Sequence, residues 1–387
     1  MTVAAILSGS GLAVWLYLLL ARGGFWRANI RDRDDAAQPG EWPSVAAVVP
    51  ARNEADVILA SLSALLSQNY PKPLHVILVD DQSEDGTGEA ARRAAAALGA
   101  EERLTVLRGA PLAPGWTGKL WAVHQGVERA SSLAGPPRYL LLTDADIAYE
   151  PGVLRRLVAR AEAGSLVLTS LMVKLRCESL AERALIPAFV FFFQMLYPFD
   201  WVNRRGHAMA AAAGGCMLVR ADALEAAGGI KAIRGSLIDD CALGRCMKKQ
   251  GGIWLGLTDS VHSLRPYPHF SDIRRMVARS AYDQLGYSPL LLCGTVIGMT
   301  LAYLIPPLLA IFGTGIAQAM GAITWGLMTI AFLPIVRFYR LSPMWAAALP
   351  IIATMYMVYT IDSAFQHWRG RGGLWKGRVQ ARRAEAS

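Results

Sequence analysis

The sequence predicts an α/β domain with a mostly parallel sheet, set between apolar segments long enough to cross a membrane. Three observations predict it. Short apolar runs alternate with helical patterns from Val45 to about Asp146, the order that right-handed crossovers turn into parallel sheet. Polar clusters follow those runs, where such sheets bind ligands, beyond the carboxyl ends of their strands. Apolar stretches then flank this region on both sides. The chain has 387 residues, of which 53% are hydrophobic and 18% charged, with a mean hydropathy of +0.31. That is too apolar for a wholly water-soluble enzyme.

The first element is Val3 to Ala21, "VAAILSGSGLAVWLYLLLA". It is uncharged and, at about 1.5 Å per residue, just long enough to span a bilayer as a helix. It lacks the early positive charge and small-residue cleavage site of a signal peptide, so residues 1–22 read as a transmembrane anchor. Arg22, Arg27, Arg31 and Arg33 follow at once, which makes the downstream side cytoplasmic. The net charge of +9 reads as attraction to an anionic inner leaflet and as a topology signal, and second as help with an anionic substrate. No basic block carries interleaved aromatics, so nucleic acid is not an expected partner.

Residues 40–285 form the α/β domain. "VAAVVP" (Val45 to Pro50) is the first strand, followed by a helical pattern from Glu54 to Ser67. "LHVILVD" (Leu74 to Asp80) is the second strand, with a helix over Gly86 to Leu98. A third strand, "RLTVLR", begins at Arg103. A helix runs from about Lys119 to Ala130, and a fourth strand, "RYLLLTD", begins at Arg138. One apolar segment interrupts the domain, "ALIPAFVFFFQMLYPFDW" from Ala184 to Trp201. Pro187 and Pro198 bracket about ten apolar residues, too few to span, so 184–201 reads as an interfacial helix, with a helix of the soluble core as the alternative.

Three further apolar stretches close the chain: Pro289 to Gly313, kinked at Pro306-Pro307, Ala317 to Val336, and Met344 to Phe365. They make a C-terminal transmembrane region, residues 289–366, ahead of a basic tail, 367–387. Three crossings leave that tail outside while its charge favours the inside, so one stretch being re-entrant is the alternative. The five cysteines, Cys177, Cys216, Cys241, Cys246 and Cys293, have no zinc-like spacing and read as small buried hydrophobes of a reducing compartment.

The polar clusters carry the chemistry. "LLLTDADIAY" runs an apolar strand straight into Asp144 and Asp146. Two hard oxygen ligands one residue apart can reach one divalent cation, whereas the plainer reading is a strand-end cap. "PARNE" and "DDQSEDGT" stand at the ends of the first two strands. In the second, Ser83, Asp85 and Thr87 are explained by turn and cap chemistry. No GxGxxG or GxxxxGK[ST] follows the first strand, which argues against a dinucleotide or P-loop site.

Taken together, "VVPARNE" (Val48 to Glu54), "VDDQSEDGT" (Val79 to Thr87), "GK" (Gly118-Lys119), "TDAD" (Thr143 to Asp146), "GGCMLVR" (Gly214 to Arg220) and Asp239-Asp240 resemble the family 2 glycosyltransferases, the inverting, nucleotide-sugar-using enzymes with a GT-A-like domain. Any one motif is weak; six in this order are specific. "PGWTGKLWA", the Phe-rich segment and the C-terminal spans are most similar to the bacterial hopene-associated glycosyltransferases of hopanoid biosynthesis.

The resemblance implies a role for each matching residue. Asp146, helped by Asp144, would hold Mg2+ or Mn2+ on the donor diphosphate. One Asp of the pair Asp80 and Asp81 would meet the nucleotide base, since a carboxylate suits the N3–H of uracil. Glu54 would lie near the nucleoside, with Pro50 and Ala51 lining the same pocket through backbone. Lys119, at a helix start, would reach the diphosphate or donor sugar; Trp116 and Trp121 beside it stack or merely pack. Asp240 would be the catalytic base, and Asp239, where the family usually has Glu, its support. Arg279 stands where processive and lipid-glycosylating members carry QxxRW, but Met276 and Ser280 replace the Gln and Trp, which argues against a polysaccharide synthase and leaves Arg279 for the diphosphate. His262, Arg265 and His269 read as loop or interfacial residues. The implied function is transfer of a sugar from a nucleotide-diphospho-sugar, a UDP-sugar, to a hopanoid-related lipid acceptor, by a multi-pass protein of the bacterial cytoplasmic membrane with its catalytic domain on the cytoplasmic side. The alternatives are a polyprenyl-phosphate acceptor and an idle membrane scaffold that keeps the fold.

Overall fold

The computed structural model describes residues 3–33, 36–370, 373–375 and 378–379; the basic tail read from the sequence lies mostly outside the described residues. In chain order the elements are α1 (Val3–Ala21), β1 (Val45–Ala51), α2 (Ile58–Leu66), β2 (His75–Asp80), α3 (Thr87–Ala97), β3 (Leu104–Arg108), α4 (Gly118–Ser131), β4 (Tyr139–Leu142), β5 (Ile147–Tyr149), α5 (Val153–Ala163), β6 (Leu166–Lys174), α6 (Leu180–Leu196) and α7 (Phe199–Asn203). There follow β7 (Met217–Arg220), α8 (Ala221–Ala226), α9 (Asp239–Lys248), β8 (Gly252–Ser263), α10 (Phe270–Ala278), α11 (Ala281–Gln284), α12 (Pro289–Met299), α13 (Ile305–Phe312), α14 (Gly315–Phe338), α15 (Leu349–Trp368), and the strand pair β9 (Leu374–Trp375) and β10 (Arg378–Val379). They divide into two compact units. A sheet unit contains Ile30–Arg176 and Trp201–Arg265, and a helical unit contains residues 3–29, Cys177–Asp200 and Pro266–Gly373.

The sheet unit is an α/β layer structure around eight strands in the order β3-β2-β1-β4-β7-β6-β8-β5. β3, β2, β1 and β4 pair in parallel, as do β6 and β8, while β7 and β5 run the other way. The four strands read from the sequence are the parallel half. β1 is buried at every position and β4 likewise, as continuous apolar runs require when helices cover both faces. Helix α4 sits so close to the sheet that a Cβ on Gly126 would lie 2.4 Å from Val48 Cγ1 and 3.1 Å from Val79 Cγ2; glycine permits the approach. Register brings the strand ends level: Ala51 is opposite Asp80, Asp80 opposite Arg108, and Val48 opposite Leu142. The clusters after β1, β2 and β4 therefore share one edge.

Helix α2 begins at Ile58, four residues later than the pattern from Glu54 predicts. The Glu54 amide donates to Thr87 Oγ1 and the Ala55 amide to Asp85 Oδ2, both at 2.9 Å. Those bonds to the next loop compete with a helical start, so Glu54 lies in a turn ahead of the helix and not in its first turn.

Among the described residues the helical unit holds four helices long and apolar enough to cross a membrane: Val3–Ala21, Pro289–Phe312, Gly315–Phe338 and Pro343–Trp368. The second runs through Pro306-Pro307 by widening to a π-helical turn at Thr300–Leu304. Such a turn absorbs the carbonyls that proline leaves unbonded. One of that turn's carbonyls, Ala302 O, accepts the Trp15 indole N–H at 2.8 Å. Ser8 Oγ donates to Ala317 O at 2.9 Å. Helix α6 starts at Leu180, earlier than the apolar stretch, because Ser179 and Glu182 form a capping box. Its inner face packs on α14 through Phe191 and Phe332, 5.2 Å between ring centres.

Candidate active site

The first two polar clusters are laced together across the sheet edge. Asn53 N donates to Ser83 Oγ at 3.0 Å, and Glu84 N to Asn53 Oδ1 at 2.9 Å. Asn53 and Gln82 both take left-handed backbone, at φ of +51° and +56°, a conformation that costs a residue such as glutamine energy; the cross-loop bonds hold it. Asp80 accepts the Ser83 amide at 2.9 Å. Asp81 is fully buried, with its own amide donating to Ala51 O at 2.8 Å and the Arg52 guanidinium 4.0 Å from its carboxylate. Asp85 and Thr87 act as the sequence reading has it, in turn and cap bonds.

The third cluster is anchored from below. Thr143 Oγ1 donates to Gly215 O at 2.8 Å, and the buried Tyr149 hydroxyl donates to Thr143 Oγ1 at 2.8 Å. A Cβ on Gly215 would sit 2.7 Å from Val173, so this close strand crossing needs glycine. "TDAD" and "GGCMLVR", 72 positions apart in the Thr143–Gly215 bond, are thereby one structure.

Two cations then meet the carboxylates. Lys119, in the first turn of α4, is 2.8 Å from Asp144 Oδ1 and 3.0 Å from Asp239 Oδ2. Arg265, just past β8, donates to both oxygens of Glu54, at 2.8 and 2.6 Å, and through Nε to Asp146 Oδ2 at 3.0 Å. Asp240 is held differently: its Oδ2 accepts the Gly214 amide at 3.0 Å and its Oδ1 the Cys241 amide at 2.7 Å. Pro50, Lys119, Asp144, Gly214 and Asp239 line a cavity floored by apolar side chains including Leu120, Val123 and Met217.

Burial and crowding set the charges. Burial raises the Asp144 carboxyl above its ordinary range; Lys119 opposes this, while the Asp146 and Asp239 charges add to it. Burial and the neighbouring Asp239 charge push Asp240 up to about 6, against Lys119 and the two amides. Burial alone would lower the Lys119 ammonium, but Asp144 and Asp239 more than reverse it, so Lys119 stays charged.

Asp144, Asp146, Asp239, Asp240, Lys119 and Pro50 are thus gathered by strand ends and helix starts and Glu54 by the turn ahead of α2, with Ala51 and Asp80 the last residues of β1 and β2 and Asp81 just after. Arg279 lies exposed at the end of α10, in the helical unit. Arg265 is in a loop, as the sequence reading has it, but its guanidinium joins Glu54 to Asp146, a partnership that reading missed. The link depends on β5 pairing with β8, Ile147 opposite Ser263, which no local pattern in the sequence announces. Trp116 is buried and stacks on His124 with ring centres 4.7 Å apart; it packs.

Among the described residues no three His, Cys, Asp or Glu side chains gather as metal ligands. Asp144 and Asp146 still suit a hard dication that takes most of its oxygens from phosphates and water. Their carboxylates already draw one cation each, and crowding keeps the Asp144 proton affinity high.

The sequence model of the family described as "Glycosyltransferase like family 2" matches residues 43–262, more than half of the chain. The chain belongs to this family. Its fold is similar to that of the mannosyltransferase PcManGT from Pyrobaculum calidifontis, solved with GDP-Man and Mn2+; the match covers 95% of this chain and all of the other, at 19% identity and a TM-score of 0.57. The chain is also 34% identical over 93 residues to the probable glycosyltransferase YdaM of Bacillus subtilis strain 168, covering 20% of each chain. It is 46% identical over 52 residues to the glycosyltransferase AglE of Haloferax volcanii, covering 13% of this chain and 17% of that one. These two alignments span a fifth or less of the relatives' length.

Proposed function

We propose that the protein is a membrane-bound, inverting glycosyltransferase that moves a sugar from a UDP-sugar to a membrane lipid of the hopanoid type. One observation carries the reading. At a single sheet edge Lys119 and Arg265 join five carboxylates, Asp144, Asp239, Asp146, Glu54 and, through its field, Asp240. An idle scaffold has no use for five crowded carboxylates against two cations.

The roles follow from chemistry. Asp144 and Asp146 would hold a Mg2+ or Mn2+ ion, which offsets negative charge on the departing nucleoside diphosphate; the PcManGT structure contains Mn2+ with a nucleotide sugar. Lys119, at a helix start, binds diphosphate or donor sugar, and in this structure it also holds Asp239 in position. Arg265 orients Glu54 and Asp146. Asp81 or Asp80 accepts from the base, with Pro50 and Ala51 lining that pocket, and Arg279 is assigned to the diphosphate by its place in the family pattern. Asp240 takes the proton of the acceptor hydroxyl. Its carboxyl, at about 6, is near the working pH, where a general base is most effective. α1 and the apolar helices after residue 289 anchor the chain in a bacterial cytoplasmic membrane, with the sheet unit cytoplasmic because Arg22, Arg27, Arg31 and Arg33 follow the first span. α6 is the interfacial helix.

The test is incubation of the full-length protein with labelled UDP-sugars and GDP-sugars and total membrane lipid, followed by mass analysis. The expected product is a lipid carrying one sugar, formed from a UDP-sugar and absent from Asp146→Asn. A sugar on polyprenyl phosphate would replace the acceptor class. No transfer from any nucleotide sugar would overturn the reading.

A further inference from the structure

An open cleft of about 420 Å3 lies in the sheet unit between the segment after α7 and the last turn of α9. Arg205, Arg245, Lys248, Lys249 and His207 line it with three small residues, and no carboxylate is among them. Helix α9 has ten residues, about 15 Å at its usual rise, and carries Asp239 and Asp240 at its other end. The cleft is separate from the carboxylate cluster.

Architecture accounts for part of the charge. Lys248 Nζ donates to the carbonyls of Val202 and Arg204 at 2.5 and 2.7 Å. The Arg205 guanidinium donates to Gly164 and Ser165 carbonyls at 3.0 and 3.2 Å. These bonds fix the two side chains but bring no negative charge to them. Arg245 and Lys249 are exposed, and among the described residues neither forms an ion pair. His207 stacks on Trp201, ring centres 4.9 Å apart, and its Nδ1 accepts the Met209 amide at 3.0 Å, which leaves Nε2 as the ring's donor. The result is a concave set of donors with no carboxylate among its lining residues.

We propose that this cleft binds the phosphate of an anionic membrane lipid headgroup. Several cations around one concavity suit a multi-oxygen anion, and the arginine fork matches phosphate geometry. The lipid source rests on reading the four apolar helices as membrane spans. Basic side chains near a bilayer are drawn to its anionic headgroups, and Arg205 follows the end of the apolar α6 by only nine positions.

The test uses the full-length protein in neutral detergent, titrated with phosphatidylglycerol, phosphatidylcholine or inorganic phosphate, with bound molecules counted by native mass spectrometry. The wild type is expected to bind phosphatidylglycerol at least about tenfold more tightly than phosphatidylcholine. R245Q/K249Q should lose that preference, while R92Q/R93Q, which removes the same charge from the exposed face of α3, should keep it. K249Q alone serves if the double variant does not fold. Equal binding of the two lipids, an unchanged preference in R245Q/K249Q, or an equal loss in R92Q/R93Q would overturn the site. Inorganic phosphate bound as tightly as the lipid would overturn the lipid assignment.

Discussion

Lys119 touches Asp144 and Asp239 and lowers the proton affinity of Asp240, which burial and the Asp239 charge raise to about 6. A base works ionised, so kcat/KM for transfer should rise with pH and level off above about 6. Lys119→Met removes the cation that favours the Asp240 carboxylate, so the acidic limb should move to higher pH. Asp239→Asn removes the neighbouring anion and should move it to lower pH. A pH–rate profile for each variant checks both signs; limbs that stay in place would separate Asp240 from the rate. Asp240→Asn should retain nucleotide-sugar binding by titration while transfer falls at least about a hundredfold, the low end for a lost general base. The residues of this set were legible because each sits in a short local pattern, a carboxylate at a strand end or a helix start. Arg265 was not, since its partners Glu54 and Asp146 are 211 and 119 positions away.

Among the elements, α4 and α9 carry side chains from both sides of the cavity, and each is fixed by a glycine pressed on backbone or strand. Gly126→Ala would put a Cβ 2.4 Å from Val48 Cγ1. Overpacking of this kind costs about 1–3 kcal/mol, so the thermal midpoint should fall, and the shift of α4 should weaken donor binding through Lys119. Gly244→Ala would put a Cβ 2.8 Å from the Ala211 carbonyl carbon, where backbone has little room to yield. It should therefore lower transfer through the Asp239-Asp240 end of α9. Thermal unfolding and donor titration together check these effects, and a Gly126→Ala protein as stable as wild type would contradict the packing described. The β1–β4 half was legible because continuous apolar runs and turn chemistry are local signals. The start of α2 was misplaced because bonds from Glu54 and Ala55 to the next loop outweigh a periodicity that counts only neighbours.

At the scale of the molecule, the two units interleave along the chain. In the helical unit, contacts such as the Tyr356 hydroxyl on the Leu185 carbonyl, 171 positions apart, hold distant segments together, and no local pattern encodes them. The four apolar helices were legible, because about 20 apolar residues in a row are their own signal. On the proposed topology, with the arginines after α1 on the cytoplasmic side, a cysteine introduced at Arg33 should resist an impermeant reagent in intact cells and react once they are opened; ready labelling in intact cells would reverse the topology. The measurement that bears most directly on the whole account is the anomeric configuration of the sugar on the lipid made by the full-length protein from a UDP-sugar of known configuration. A single displacement assisted by Asp240 predicts inversion, with no product from Asp240→Asn. Retention of configuration, or an inverted product made by Asp240→Asn at the wild-type rate, would contradict it.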